Sequence, residues 1–425
     1  MSMNAREIII PYAPRKAFLP YHGRKERFAI IIAHRRAGKT VAEVNECIKK
    51  VLTVQRKFPP PQVAFVSPTL KQGRRNAWLY MKHYASVIPG ARPKETEHII
   101  TFPNGGRLML VGSDDPDALR GIYLDHVALD EYGDQSPRVW GEIIRPTLSD
   151  YGGSATFIGT PKGHNHFYRL LKQHENDPDW FVSILRASET GILPEAELEL
   201  ARKTMTKEQY LQEYECSFEA AVPGLIYAEE IHQAEKEGRI TNVPYDPAAR
   251  VFACWDLGIH DPTAIWIGQR VGQEFHWIDY YEAADVPLTA AVRWIKELPY
   301  HVDHHILPHD AEARENTTGK SRLQFLEAHG FDCVIVPKHN IWDGIHAVRV
   351  DFGKFWFDKE RCELGLDALR MYRKEFDEKR GIFSNMPFHD WTSHAADALR
   401  YGVMGQNLIG FGNTKYKFRK RVVAV

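Results

Sequence analysis

The apolar run Phe28-Ala29-Ile30-Ile31-Ile32-Ala33 passes directly into His34-Arg35-Arg36-Ala37-Gly38-Lys39-Thr40, and then into a helix-compatible segment opening Val41-Ala42-Glu43-Val44. No other feature limits the fold as much. A strand, a tight loop closed by Gly-Lys-Thr and a helix N-terminus together make a cradle of backbone N–H groups for phosphate oxygens. In such a cradle, with Gly38 in the turn, Lys39 reaches the β and γ phosphates of ATP and Thr40 offers its hydroxyl to Mg²⁺. Ala33 stands where the first glycine of the usual pattern falls, so the flanking strand and helix carry the reading.

Further apolar runs at 63–67, 99–102, 108–111, 127–129 and 155–158 have helix-compatible stretches between most of them. Several are apolar throughout, as strands covered on both faces of a parallel sheet are. The first half therefore reads as an α/β P-loop ATPase domain with a mostly parallel sheet. An acid-ended strand should follow the phosphate loop, and Leu124-Asp125-His126-Val127-Ala128-Leu129-Asp130-Glu131 supplies it. Asp130 is expected to hold Mg²⁺ and Glu131 to orient the water that attacks the γ phosphate. Thr160, in Gly159-Thr160-Pro161 at the end of another run, is expected to sense that phosphate. Charge on the transferred phosphoryl group needs a cation. Arg35 and Arg36 could supply it in cis, and Arg120, in Ala118-Leu119-Arg120-Gly121, could supply it to a neighbouring subunit as an arginine finger; both readings stand.

Composition adds mainly exclusions. At 425 residues, with 44% hydrophobic and 26% charged residues, the chain suits two substantial folded domains and argues against disorder or coiled coil. Lys plus Arg and Asp plus Glu are both 55, so no overall basic charge points to nucleic acid and any DNA-binding surface must be local. The five cysteines form no CxxC pair, which fits a reducing compartment without a disulfide framework or zinc ribbon. No apolar stretch approaches the roughly 18 residues of a membrane span, and no signal peptide is expected.

The second half changes pattern. Turn residues near 220–247 mark a boundary, with an ATPase domain expected over 1–220, a linker over 221–246, a second domain over 247–410 and a basic tail over 411–425. Strands at 251–255, 263–268 and 274–280, a helix at 288–298, a strand at 305–309, a helix at 321–329 and a strand at 333–336 give the order of a ribonuclease H-like fold with a mixed sheet. Asp256 lies inside an apolar strand, where an unpaired carboxylate is costly and wants a cation. Asp310 ends the 305–309 strand, and Asp397 sits on a closing helix with His394 one turn earlier on the same face. In this fold the three carboxylates would converge on two Mg²⁺ or Mn²⁺ ions for phosphodiester hydrolysis, with small Ala395 and Ala396 leaving room beside the metals. Asp261 is either an outer metal contact or the cap of a turn. The tail Lys415-Tyr416-Lys417-Phe418-Arg419-Lys420-Arg421 either meets phosphates or simply solvates the chain end.

Taken together, these residues resemble the large terminase subunit of tailed bacteriophages. The resemblance rests on Arg-Arg-Ala-Gly-Lys-Thr, Leu-Asp-Glu preceded by Leu-Arg-Gly, Gly-Thr-Pro, Asp-Leu-Gly, His-Ala-Ala-Asp-Ala-Leu-Arg-Tyr, and Pro337-Lys338 followed by Asp343-Gly344-Ile345. It implies an ATPase that pulls double-stranded DNA through a portal protein into an empty capsid and a nuclease that cuts concatemeric DNA. It also implies a small terminase subunit as partner, a homo-oligomeric ring with an expected five members, no membrane, and the host bacterial cytoplasm as the place of action. One departure is visible: many relatives carry an adenine-recognising glutamine near the N-terminus, and here no Gln precedes Gln55. Phe18 and Tyr21 are alternative candidates for packing against the base. Two rival readings remain, a repair or recombination translocase-nuclease and a non-catalytic, nucleotide-controlled assembly adaptor.

Overall fold

A computed structural model describes residues 9–115, 119–218, 224–258, 262–284, 286–313, 321–377 and 382–409. Ala118, Asp261 and the 411–425 tail, singled out above, lie outside them. The chain divides into two compact units between Gly224 and Leu225.

In the first unit, β1 (Phe28–Ala33), β2 (Gln62–Ser67), β3 (Arg92–Lys94), β4 (Ile99–Thr101), β5 (Arg107–Gly112), β6 (His126–Leu129), β7 (Ser154–Gly159) and β8 (Trp180–Leu185) form one sheet in the order β3-β4-β5-β2-β6-β7-β1-β8. From β5 to β8 every pairing is parallel, while β3 and β4 add an antiparallel edge. The parallel core follows from the runs themselves: β7 is buried along its whole length and β1 at all but its first residue, so helices must cover both faces. Alternation along β1 sends Ile30 and Ile32 to a core shared with Phe157 and Phe167, and Ala29 and Ile31 to one shared with Phe18 and Tyr21. The helix Lys39–Thr53 buries Val44, Cys47, Ile48 and Val51 against Val63, Phe65 and Ala128 of β2 and β6. With β7 between β6 and β1, the carboxyl ends of the three strands open on one sheet edge, where α/β folds place their ligands.

The second unit carries β9 (Ile240–Thr241), β10 (Val251–Asp256), β11 (Thr263–Val271), β12 (Glu274–Ala283), β13 (His304–Leu307), β14 (Cys333–Ile335) and β15 (Phe355–Asp358) in the order β14-β13-β10-β11-β12-β15-β9. β10, β11 and β12 are antiparallel neighbours, and β13 and β14 extend the sheet in parallel beyond β10. A hairpin of β16 (Lys374–Asp377) and β17 (Ile382–Pro387) stands apart. Phe252, Cys254 and Asp256 share one face of β10. On that face lies the helix Trp391–Gly405, drawn so close that a Cβ on Gly402 would sit 2.4 Å from the Cys254 sulfur.

Two differences from the sequence reading concern this unit. The stretch expected as a linker holds, from Leu225, the helix Ala228–Lys236 and β9, with Ile226, Tyr227, Ile231 and Ala234 in the core; their burial makes them part of the second fold. Ala395 and Ala396 are packed into that same core, and the Trp266 indole N–H donates to the Ala395 carbonyl at 2.8 Å. Their small size lets the helix approach the sheet instead of leaving space for ions.

Candidate functional sites: a phosphate loop and a carboxylate cluster

The phosphate loop is braced by contacts on three sides. Arg36 and Gly38 take left-handed backbone conformations at φ 68° and 98°, which glycine adopts freely and arginine does not. Arg15 braces this turn, one guanidinium nitrogen donating to both the Arg36 and the Ala37 carbonyl at 2.8 Å. His34 is fully buried, its ring nitrogens 2.7 Å from the Arg35 carbonyl and 2.9 Å from the Thr190 hydroxyl. The Arg35 amide donates to the Glu213 carbonyl at 2.8 Å, and its exposed side chain lies 3.6 Å from the Glu213 carboxylate. Neither Arg15 nor the His34–Thr190 pair is legible in the sequence, because nothing in the spacing of an isolated Arg or Thr points to a loop so distant along the chain.

At the sheet edge, the Lys39 ammonium donates to the Ala33 carbonyl at 3.0 Å and lies 3.7 Å from Glu131. Glu131 itself has φ 46°, a strained value for a side chain of this kind, and its carboxylate accepts from the Thr160 amide at 3.1 Å and the Thr160 hydroxyl at 3.2 Å. Lys39, Glu131 and Thr160 thus meet at the ends of β1, β6 and β7. Asp130 is buried beside them with its Oδ1 lacking a hydrogen-bond partner among the described residues, and burial together with the Glu131 charge raises its pKa to about 8. An orphaned, buried carboxylate oxygen next to a phosphate loop suits a divalent cation, so the donor set fits Mg²⁺ with Thr40 at the helix start. Arg120 is exposed in the turn before Gly121, away from the ends of these strands in sequence and open to solvent.

Phe18 and Tyr21 do not offer a ring face to a base. Both are at most 2% exposed, and the Tyr21 hydroxyl donates to Glu43 and lies 3.0 Å from the Thr156 hydroxyl. Tyr21 belongs to a buried polar network in which His126 bridges Glu43 at 3.1 Å and Ser154 at 2.8 Å. Among the described residues, Glu43, Cys47 and His126 are the one group of three whose ligand atoms all lie within 4.8 Å of one another. Their polar atoms already satisfy each other, so the network needs no ion.

In the second unit, Asp256 emerges at the end of β10 with one oxygen 3.2 Å from the His394 ring. Burial raises its pKa, the His394 contact lowers it, and the Asp397 charge raises it again, which marks Asp256 and Asp397 as electrostatic neighbours. Asp397 accepts from Arg400 at 2.9 and 3.3 Å. Asp310 is exposed in the single turn His309–Glu312 that follows β13, the parallel neighbour of β10, so it shares the carboxyl edge of the sheet with Asp256. Among the described residues the three carboxylates do not close to 4.8 Å of one another. Two partly buried acids, one raising the proton affinity of the other, with a third at the same edge, suit divalent cations as donors.

No family model matches the chain. It is 26% identical over 424 residues to the large terminase subunit of Escherichia phage T5, covering 94% of this chain and 91% of the relative. A 126-residue stretch is 37% identical to the large terminase subunit of Thermus phage G20c, covering 29% of this chain and 23% of that one. Among solved structures, the large terminase of a thermophilic bacteriophage aligns over 94% of this chain and all of its own, at 16% identity and a TM-score of 0.43. The chain is thus similar over nearly its whole length to a large terminase subunit of a tailed phage, with a phosphate loop, its acid partner and a second group of carboxylates along that match.

Proposed function

We propose that the chain is the motor and nuclease of viral genome packaging: ATP hydrolysis in the first unit drives double-stranded DNA through a portal into an empty capsid, and the second unit cleaves concatemeric DNA. The observation that carries the reading is the meeting of Lys39, Glu131 and Thr160 beside the buried Asp130 at the phosphate loop. ATP places its phosphates on the loop N–H groups, and Lys39 exchanges the Ala33 carbonyl for β and γ oxygens. Glu131 then orients water for in-line attack. The new bond forms between the water oxygen and the γ phosphorus as the bond to the bridging oxygen breaks, leaving ADP and phosphate. Thr160, bonded to Glu131 through both amide and hydroxyl, links the state of the γ phosphate to the position of that carboxylate.

Thr40 and Asp130 would hold a Mg²⁺ whose charge neutralises the phosphate oxygens. The positive charge that offsets the charge on the transferred phosphoryl group comes from Arg35 or Arg36 within the loop, or from Arg120 of a neighbour in a ring, five-membered by family likeness. Mixing Arg120→Ala with Lys39→Ala subunits separates these, since only a residue acting between subunits restores turnover in the mixture. Asp256, Asp310 and Asp397 would hold the Mg²⁺ or Mn²⁺ ions, two by analogy with the fold, that activate water and stabilise the leaving oxygen of the phosphodiester. A small terminase subunit and the host cytoplasm complete the expected setting.

The test is packaging with purified empty capsids, scoring DNA protected from nuclease. Glu131→Ala should abolish protection, and Asp397→Ala should permit translocation of pre-cut DNA but not cleavage of concatemers. A Lys39→Ala protein that hydrolysed ATP at the wild-type rate would sink the motor assignment.

A further inference from the structure

Asp397 and Arg400 stand three residues apart on the helix Trp391–Gly405, and an exposed pair at that spacing would be an ordinary helix-surface contact. This one is built differently. Arg400 is 6% exposed, and its guanidinium is anchored at both ends. Nε and Nη2 donate to the same Asp397 oxygen, Oδ1, at 3.3 and 2.9 Å, while Nη1 lies 2.7 Å from His339 Nε2. His339 Nδ1 is 3.0 Å from the Pro337 carbonyl, which can only accept, so Nδ1 carries the proton and Nε2 accepts from Arg400. The Tyr401 ring lies 4.6 Å from the guanidinium carbon.

Room for this arrangement comes from Gly344, on the facing helix Ile341–Asp351. A Cβ there would stand 2.5 Å from Arg400 Cδ and 3.0 Å from His339 Nε2. The Pro337-Lys338 and Asp343-Gly344-Ile345 segments, conspicuous in sequence but without a chemical role in it, therefore frame the seat of one arginine. Asp397 Oδ2 makes no hydrogen bond among the described residues.

We propose that Arg400, seated by His339 and Gly344, is a positioning residue of the nuclease site: it occupies one oxygen of Asp397 and leaves the other aimed at a divalent cation. The inference rests on the nuclease reading above. A simple charge effect predicts the opposite sign, because removing a positive charge beside a cation site favours the cation. Positioning predicts weaker binding, since a released carboxylate gains rotamer freedom, and outer-shell partners of metal ligands contribute about 10- to 100-fold in affinity.

The experiment titrates Mn²⁺ against the full-length protein by electron paramagnetic resonance and calorimetry, with ATP turnover and thermal melting as checks on the fold. Arg400→Gln should raise the Mn²⁺ half-saturation about tenfold, and Arg400→Lys should not rescue it, because an ammonium cannot span Asp397 and His339. His339→Ala, at a less buried position, should raise it about threefold and covers the case in which the Arg400 variants fail to fold. Unchanged or tighter Mn²⁺ binding in folded Arg400→Gln or His339→Ala overturns the proposal. If the wild-type protein binds no Mn²⁺, the nuclease reading itself fails, a result distinct from a normal wild type with unaffected variants.

Discussion

The two units hold their acids in opposite ways. At the phosphate loop, Glu131 is tied to Thr160 by two hydrogen bonds and approached by Lys39, so the cluster is closed by the protein's own groups. In the second unit each acid has a different attachment, Asp256 to His394, Asp397 to Arg400, and Asp310 exposed beyond its strand. The difference follows from where the residues come from. Adjacent parallel strands deliver the first set to one edge within a single backbone register. The second set is gathered from a strand, a turn and a distant helix, and like charges brought together need a counter-ion to close.

The largest effect that would break this comparison is in the first unit. Lys39→Ala should lower ATP turnover at least a hundredfold, measured by phosphate release, while Mn²⁺-dependent plasmid cleavage persists. Asp256→Asn should show the converse, cleavage lost by about a hundredfold or more with ATP turnover retained. If either substitution silenced both activities, the clusters would not be chemically independent. Thr160→Ala, which removes the hydroxyl contact but keeps the amide, should lower turnover about tenfold and leave the Michaelis constant for ATP nearly unchanged. Arg15→Ala should do the reverse, raising that Michaelis constant a few-fold through a looser loop, since it removes a charged donor from two carbonyls.

The smallest effect is in pH dependence. An unfolded aspartate releases its proton near pH 4, whereas Asp130 in the folded protein keeps it to about 8. The folded state binds more protons across that window, so Asp130 lowers stability as pH rises from about 4 to about 8. Melting of the nucleotide-free protein should therefore fall less steeply with pH in Asp130→Asn, and Mg²⁺ with ATP should have a similar levelling effect on the wild type. An identical pH slope in variant and wild type would remove the buried-acid argument for a cation there.

Several core elements are plain in the residues. β1, β2, β5, β6 and β7 match apolar runs to within a residue or two, because strands covered on both faces leave little choice but Val, Ile, Leu, Ala and Phe. β8 is apolar at every position but Ser183 and pairs with β1 along its full length, so its residues carry a strand signal although it is not among the runs given above. β15 is an aromatic run of only three residues, Phe355 to Phe357, and the β16–β17 pair is silent because its strands are short and mixed in character. Phe18 and Tyr21 mislead because an aromatic side chain near a nucleotide loop reads identically whether it stacks on a base or fills the core.

By itself, the order of residues marked out the phosphate loop, its acid partner and the three separated aspartates as candidates, since each stands in a local context that a short segment specifies. Only the tertiary structure decided that Arg15 braces the loop, that Glu131 rests on Thr160, and that Gly344 makes room for Arg400. Those contacts join segments far apart in the chain. Their geometry comes from sheet order and helix packing, which no spacing between residues encodes.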